Sequence, residues 1–122
     1  MATTDAFPLV TEELKAIFIP YLKWLDVVYN KKSGICLNTR HIMKNKQPLF
    51  FGGVRMGKSY VSFHLMALYC FPEMKASISA SLRRHMQGKS CFNFTSADKK
   101  LFKELRGLTK SAFARFKSER FL

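Results

Sequence analysis

The residues from Gly52 to Ser59, Gly-Gly-Val-Arg-Met-Gly-Lys-Ser, satisfy the phosphate-loop pattern of Gly, four residues, then Gly-Lys-Ser. Such a loop works because a helix begins directly behind it and aims its free N–H groups and its dipole at phosphate. In this chain the next segment reads as a strand: Tyr60, Ser62 and His64 alternate with Val61, Phe63 and Leu65, the period of a half-buried β-strand. No later apolar run ends in an Asp that would hold magnesium, and no central parallel sheet can be built from the chain. The string is therefore a hairpin turn, with Gly57 expected at a positive-φ or bulge position.

Metal and nucleophile chemistry find little support. His41, His64 and His85 fall in three separate elements and no two Cys or His stand at ligand spacing, so no metal site and no cofactor is expected. Cys36, Cys70 and Cys91 lie in or beside apolar strands, where inert buried thiols are the rule. Cys91 has Lys89 nearby to lower its pKa, but the sequence shows no partner base for it. With no acid–base pair, triad or metal cage, the chain is expected not to be an enzyme.

Cationic residues form a clearer pattern. At 100° per residue, Lys99, Lys103, Arg106, Lys110 and Lys117 fall on an arc about 60° wide. Leu101, Leu105, Leu108, Ala112 and Phe116 share another arc, with Phe102 and Phe113 beside it. Glu104 and Glu119 lie off the basic stripe. Arg83, Arg84, His85 and Lys89 form a second basic cluster before the last strand. Together the two groups are expected to track a phosphate backbone or ribosomal RNA without reading its sequence; a solvated helix face is the plainer alternative. A third candidate is the polar side of the sheet, where Asn38, Arg40, Tyr60, Ser62 and His64 are expected to share one face and hold a small anion or a peptide carboxylate. An ordinary wet sheet face is the alternative there.

Local pattern also gives the helices and strands that carry these residues. Pro20 divides a first helix that starts at Thr11, where Glu12 and Glu13 suit the positive end of the helix dipole. Residues 26–30 and 35–39 flank a turn at 31–34, a first hairpin. Residues 48–54 and 59–65 flank 55–58, a second one. A short helical stretch opens at Phe71-Pro72-Glu73. Ser79 or Ser81 caps a further turn or two through Leu82 and Met86, closed by Gly88. Ser90 to Phe94 reads as a strand, and Ser96 or Asp98 caps a final helix to about Ser118, with Gly107 a weak point. The fold class is α+β: an antiparallel sheet of four to five strands with N-terminal and C-terminal helices packed on it.

Length and composition agree. The 122 residues suit one domain over 1–122, with 1–10 expected as a loose N-terminal segment. Apolar residues at 48% and twelve Phe demand a packed core rather than a disordered basic tail. No run approaches the roughly 20 apolar residues of a membrane span. The N-terminus lacks a signal-peptide pattern and three unpaired-looking Cys suit a reducing compartment, so a cytoplasmic location is expected. Twenty-one Lys+Arg against eight Asp+Glu give a net charge of +13, and no acidic residue stands between Asp26 and Glu73. Charge of this size destabilises a compact chain unless it is screened or met by an anion.

Several strings carry a family likeness: Leu37-Asn38-Thr39-Arg40, Gln47-Pro48-Leu49-Phe50-Phe51-Gly52, Tyr60-Val61-Ser62-Phe63-His64-Leu65, Phe71-Pro72-Glu73 and Gln87-Gly88-Lys89-Ser90-Cys91-Phe92-Asn93-Phe94. In these the chain resembles the YdhG-like family of small bacterial proteins, from about Thr11 to Leu122. The resemblance implies a compact α+β domain with an antiparallel sheet flanked by helices, and a hairpin at the phosphate-loop-like string. It carries over no catalytic residue. One branch of the family is described as a frataxin-like iron chaperone, a role that relies on an acidic surface. Eight scattered carboxylates and a charge of +13 suit hard cations poorly.

The leading expectation is a non-enzymatic module for a polyanion: RNA, a ribosome surface or a DNA backbone. It would be contacted by Arg83, Arg84, Lys89, Lys99, Lys103, Arg106 and Lys110. A small anionic metabolite on the polar sheet face is the alternative, and an iron chaperone the third reading. Oligomeric state is left open.

Overall fold

A computed structural model describes residues 6–122. Helix α1 (Phe7–Phe18) begins with Pro8 in its first turn, where a missing N–H costs nothing. Phe7, Val10, Leu14, Ile17 and Phe18 recur at helical spacing and are all buried. Burial of Phe7 and Val10 draws the helix start ahead of Thr11, which is not a cap. Thr11 lies buried inside the helix, its hydroxyl donating to the Phe7 carbonyl at 2.7 Å. The expected loose segment over 1–10 is corrected accordingly: 7–10 are the first turn of α1, and 1–5 lie outside the described residues. Pro20 divides the first helical region as expected, and the chain continues as a 3-10 helix over Ile19–Trp24.

Strands β1 (Asp26–Lys31), β2 (Gly34–Ile42), β3 (Pro48–Met56) and β4 (Val61–Leu65) then form two hairpins end to end. After a short helix α2 (Ala67–Cys70), a 3-10 helix (Pro72–Ser77) and helix α3 (Ala80–Arg83) come β5 (Met86–Gln87) and β6 (Cys91–Phe94). The architecture is α+β. One sheet of order β1-β2-β3-β4-β6-β5 has every neighbouring pair antiparallel. Six strands replace the expected four to five. Ser79 does cap α3, accepting from the Leu82 N–H, but the helix ends at Arg83 rather than running to Met86. Met86 and Gln87 instead pair with Phe92 and Cys91, which satisfies their backbone groups in a ladder. Gly88 at φ 75° makes the turn.

The core lies between one sheet face and the helices. Ile35, Val54, Phe63 and Phe92 form a cross-strand row from β2 to β6, and all four are buried. Phe18 of α1 stacks on Phe63 with centroids 4.9 Å apart. Beneath that ring sits Gly52, where a Cβ would come within 2.8 Å of Phe18 and 2.7 Å of the His64 carbonyl. The first glycine of the phosphate-loop-like string is thus explained by close packing. Helix α4 (Lys99–Ser118) is capped by Asp98, whose carboxylate accepts from the Leu101 N–H at 3.0 Å, and it runs through Gly107 unbroken. Phe116 of α4 meets Phe51 of β3 edge to face at 5.5 Å, and Phe102 meets Phe94 of β6 at 5.0 Å. On the opposite sheet face the side chains of Ser62, His64, Cys91 and Asn93 line a cleft. No helix among the described residues is long and apolar enough to cross a membrane.

Candidate functional site: a basic helix stripe and a sheet-face cleft

Alternation along α4 buries Leu101, Leu105, Leu108, Ala112 and Phe116 and leaves Lys99, Lys103, Arg106 and Lys110 exposed. From Lys99 to Lys110 the stripe is about 16 Å long at 1.5 Å per residue. None of the four makes an ion pair among the described residues. Four of the described carboxylates are ion-paired elsewhere: Glu12 with Lys15, Asp26 with Arg40, Glu73 and Glu119 with Arg115. Asp98 caps α4, and Glu104 accepts from the backbone N–H and hydroxyl of Ser79 at 2.8 and 2.6 Å. Glu13 shares a cleft with Lys99 and Arg106, and one of its oxygens is buried without a hydrogen-bond partner. Beside the stripe stands Trp24, 44% exposed, 5.5 Å from the ring of Phe113. Phe113 is the helical neighbour of Lys110 and Lys117.

The second basic cluster lies on α3 and the β5–β6 turn. The Arg83 guanidinium donates to the Ile78 and Lys75 carbonyls, tying the 3-10 helix to α3. Arg84 is exposed at the end of α3, and the Lys89 ammonium lies 5.5 Å from the centroid of the Tyr69 ring. Helix α3 itself is tied to α4 at its start, where Ser79 donates to Glu104.

The phosphate-loop-like string is a hairpin connection, as expected from the strand pattern behind it. Gly57 to Tyr60 link β3 to β4, the Gly57 N–H donating to the Tyr60 carbonyl at 2.9 Å. Gly57 itself has neither the positive φ nor the bulge expected of it, because Met56 pairs regularly with Val61.

That connection walls a cleft of about 500 Å³ on the open sheet face, lined by Arg55, Gly57, Lys58, Ser59, Tyr60, Ser62, His64, Gln87, Cys91 and Asn93. Three of the five residues expected on a ligand face, Tyr60, Ser62 and His64, come together here. Asn38 and Arg40 do not line it. Arg40 is held at the β1 edge, 3.4 Å from both the Asp26 carboxylate and the Lys23 carbonyl. The cationic part falls to Arg55 and Lys58 instead. Register explains the convergence: Arg55 pairs with Ser62 and Ser62 with Asn93, while His64 pairs with Cys91 and Cys91 with Gln87.

The cleft floor is a connected polar set. The Ser62 hydroxyl donates to the Asn93 Oδ1 at 2.9 Å, and the Asn93 amide donates to Gln87. Cys91 Sγ lies 3.7 Å from His64 Nε2 and donates to Asn93 Oδ1 at 3.4 Å. Burial lowers the His64 pKa, and the nearby Arg55 charge lowers it further. Burial raises the Cys91 pKa, opposed in part by the Ser62 hydroxyl. The resting pair is therefore a thiol beside a neutral imidazole. The partner base that sequence reading did not find for Cys91 is His64, 27 residues away along the chain. The outward positions of two alternating strands were visible in sequence; the pairing of those strands was not. No group of three or more metal-ligating side chains occurs among the described residues. No protein-family model, curated protein or solved structure matches the chain.

Proposed function

We propose that the protein is a non-enzymatic binding module for a polyanion, a nucleic-acid backbone or ribosome surface, held along α4. One observation carries this reading: Lys99, Lys103, Arg106 and Lys110 stand exposed on one helix face without an ion-pair partner among the described residues. Four such cations would displace condensed counterions, giving a log–log salt slope of about −3 to −4 on duplex DNA. Trp24, the single tryptophan of the chain, stands beside the stripe and reports occupancy by fluorescence. The test titrates structured RNA and duplex DNA against Trp24 emission from about 50 to 200 mM salt. Exchange of Lys103, Arg106 and Lys110 for Glu should abolish binding with the fold intact, and unchanged affinity would overturn the assignment. A YdhG-like identity and a cytoplasmic location belong to the same proposal, supported by the sheet-and-helix architecture and by three free cysteines.

A second reading is a small-anion site in the sheet-face cleft, favoured by Arg55 and Lys58 on its rim and by the absence of any carboxylate among the described residues that line it. Inorganic pyrophosphate tests it directly: binding should shift the His64 ring resonances and be lost in Arg55→Gln/Lys58→Gln.

A further inference from the structure

The sheet-face cleft brings together four things that sequence distance keeps apart: a thiol, an imidazole within reach of it, a fixed acceptor and two cations. Cys91 and His64 are direct cross-strand partners, so the 3.7 Å approach of Sγ and Nε2 is held by the β4–β6 ladder. Asn93 Oδ1, oriented by Ser62 and Gln87, is a second acceptor for the S–H. Cys36 and Cys70 are also half-buried thiols, but neither hydrogen-bonds to a histidine or lines this cleft. A metal fits poorly, since among the described residues Cys91 and His64 are the only two strong ligands lining the cleft and Arg55 and Lys58 repel a cation.

We infer that Cys91 is a covalent capture site for a small carboxylate- or phosphate-bearing disulfide, seated by Arg55 and Lys58 and activated by His64. The inference rests on the small-anion reading of the cleft. In the reaction the Cys91 proton passes to His64 Nε2, and the thiolate attacks one sulfur of the bound disulfide. The S–S bond of the ligand breaks as the new one forms. The departing thiolate takes the proton back from His64, leaving a mixed disulfide on Cys91 and one free thiol. No electrons are needed beyond those exchanged between the protein thiol and the disulfide.

The anion has a second role. The Arg55 charge is one reason the imidazole is a poor base in the empty cleft, the other being burial. An anion set against Arg55 offsets that charge and strengthens His64 when an electrophile is in place. Solvent oxidants without charge gain no such help, so the thiol stays protonated until the right class of ligand arrives.

The test uses the full reduced chain and two aromatic disulfides, the dicarboxylate dithiobis-nitrobenzoate and the neutral dithiodipyridine. Modification at each cysteine is followed by peptide mass mapping. Cys91 should prefer the anionic probe over the neutral one by at least about tenfold relative to Cys36 and Cys70, the scale of electrostatic steering into a charged cleft. Arg55→Gln/Lys58→Gln should remove that preference, because the rim cations that draw in the anionic probe are gone. His64→Gln should slow Cys91 with the anionic probe by at least about tenfold, the low end of general-base assistance. Cys36 and Cys70 rates serve as internal folding controls in each variant. Equal probe preference at all three cysteines, or a Cys91 rate unaffected by His64→Gln, overturns the proposal. Pyrophosphate that binds without protecting Cys91 overturns the thiol chemistry and leaves the anion cleft standing; absence of both binding and selectivity overturns the two together.

Discussion

At the scale of single residues, the environment of each side chain decides its chemistry more than its type does. Arg83 and Arg40 are exposed cations by composition, yet one holds two backbone carbonyls and the other is paired with Asp26. Lys15, a charged residue on α1, is buried with its ammonium donating to the Lys31 carbonyl at 2.8 Å, so it ties the helix to the end of β1. His64 shows the same principle through its proton. Its folded pKa lies below the ordinary imidazole value of about 6.5, so the unfolded chain binds the extra proton as the pH falls. The stability this group contributes is present above about pH 6.5 and is lost progressively below it. Between about pH 7.5 and 5.5, the urea midpoint of the wild-type chain should therefore fall further than that of His64→Gln. Parallel curves for the two proteins would show that the imidazole titrates as it does in water.

Elements contribute through faces and ends. Helix α4 is specified by its apolar arc and by Asp98 at its start, and a single glycine does not break it. Gly107 is exposed, and a Cβ there would meet no atom within 4 Å. Gly107→Ala should stabilise the chain by about 1 kcal/mol, because the helix then carries less backbone entropy cost and no new clash. A raised denaturant midpoint with unchanged m-value checks this; a lowered one would mean that the helix is bent or crowded at that point. The basic stripe carries its own strain. Lys99, Lys103, Arg106 and Lys110 repel one another at i, i+3 and i+4, by a few tenths of a kcal/mol per pair. With Glu at positions 103, 106 and 110 the 99/103 pair becomes attractive, the 103/106 and 106/110 pairs stay like-charged, and the net positive charge of the chain falls, so loss of binding in that variant is not expected to come from unfolding.

For the molecule as a whole, a net charge of +13 acts on fold and function with opposite signs. Salt screens the self-repulsion of the folded chain, and it also removes the counterion-release drive for a polyanion. Raising salt from about 20 to about 300 mM, across which the screening length falls severalfold, should raise Tm while weakening polyanion binding. A Tm that stays flat over that range would mean that the cations are spaced widely enough to ignore one another. Placement supports two separate uses of the charge. The helix stripe belongs to the layer covering one sheet face, while Arg55 and Lys58 stand over the other. A polyanion on α4 and a small anion in the cleft need not compete.

Local pattern carried a large part of this protein. The period of two in Tyr60–Leu65 identified β4 and turned the phosphate-loop letters into a hairpin, and the 3.6-residue repeat of α4 separated its buried arc from its basic stripe. Both are properties of contiguous residues, set by backbone geometry within one element. Tertiary structure decided the rest. Pairing of β4 with β6 set His64 against Cys91, pairing of β3 with β4 brought Arg55 rather than Arg40 to the cleft, and pairing of β5 with β6 made a strand of Met86 and Gln87 where a helical turn was expected. Burial of Phe7 likewise moved the start of α1 ahead of its polar signals at Thr11 to Glu13. Strand neighbours and register are chosen by the burial of the whole apolar set at once, so a residue's cross-strand partner is not written in the residues around it.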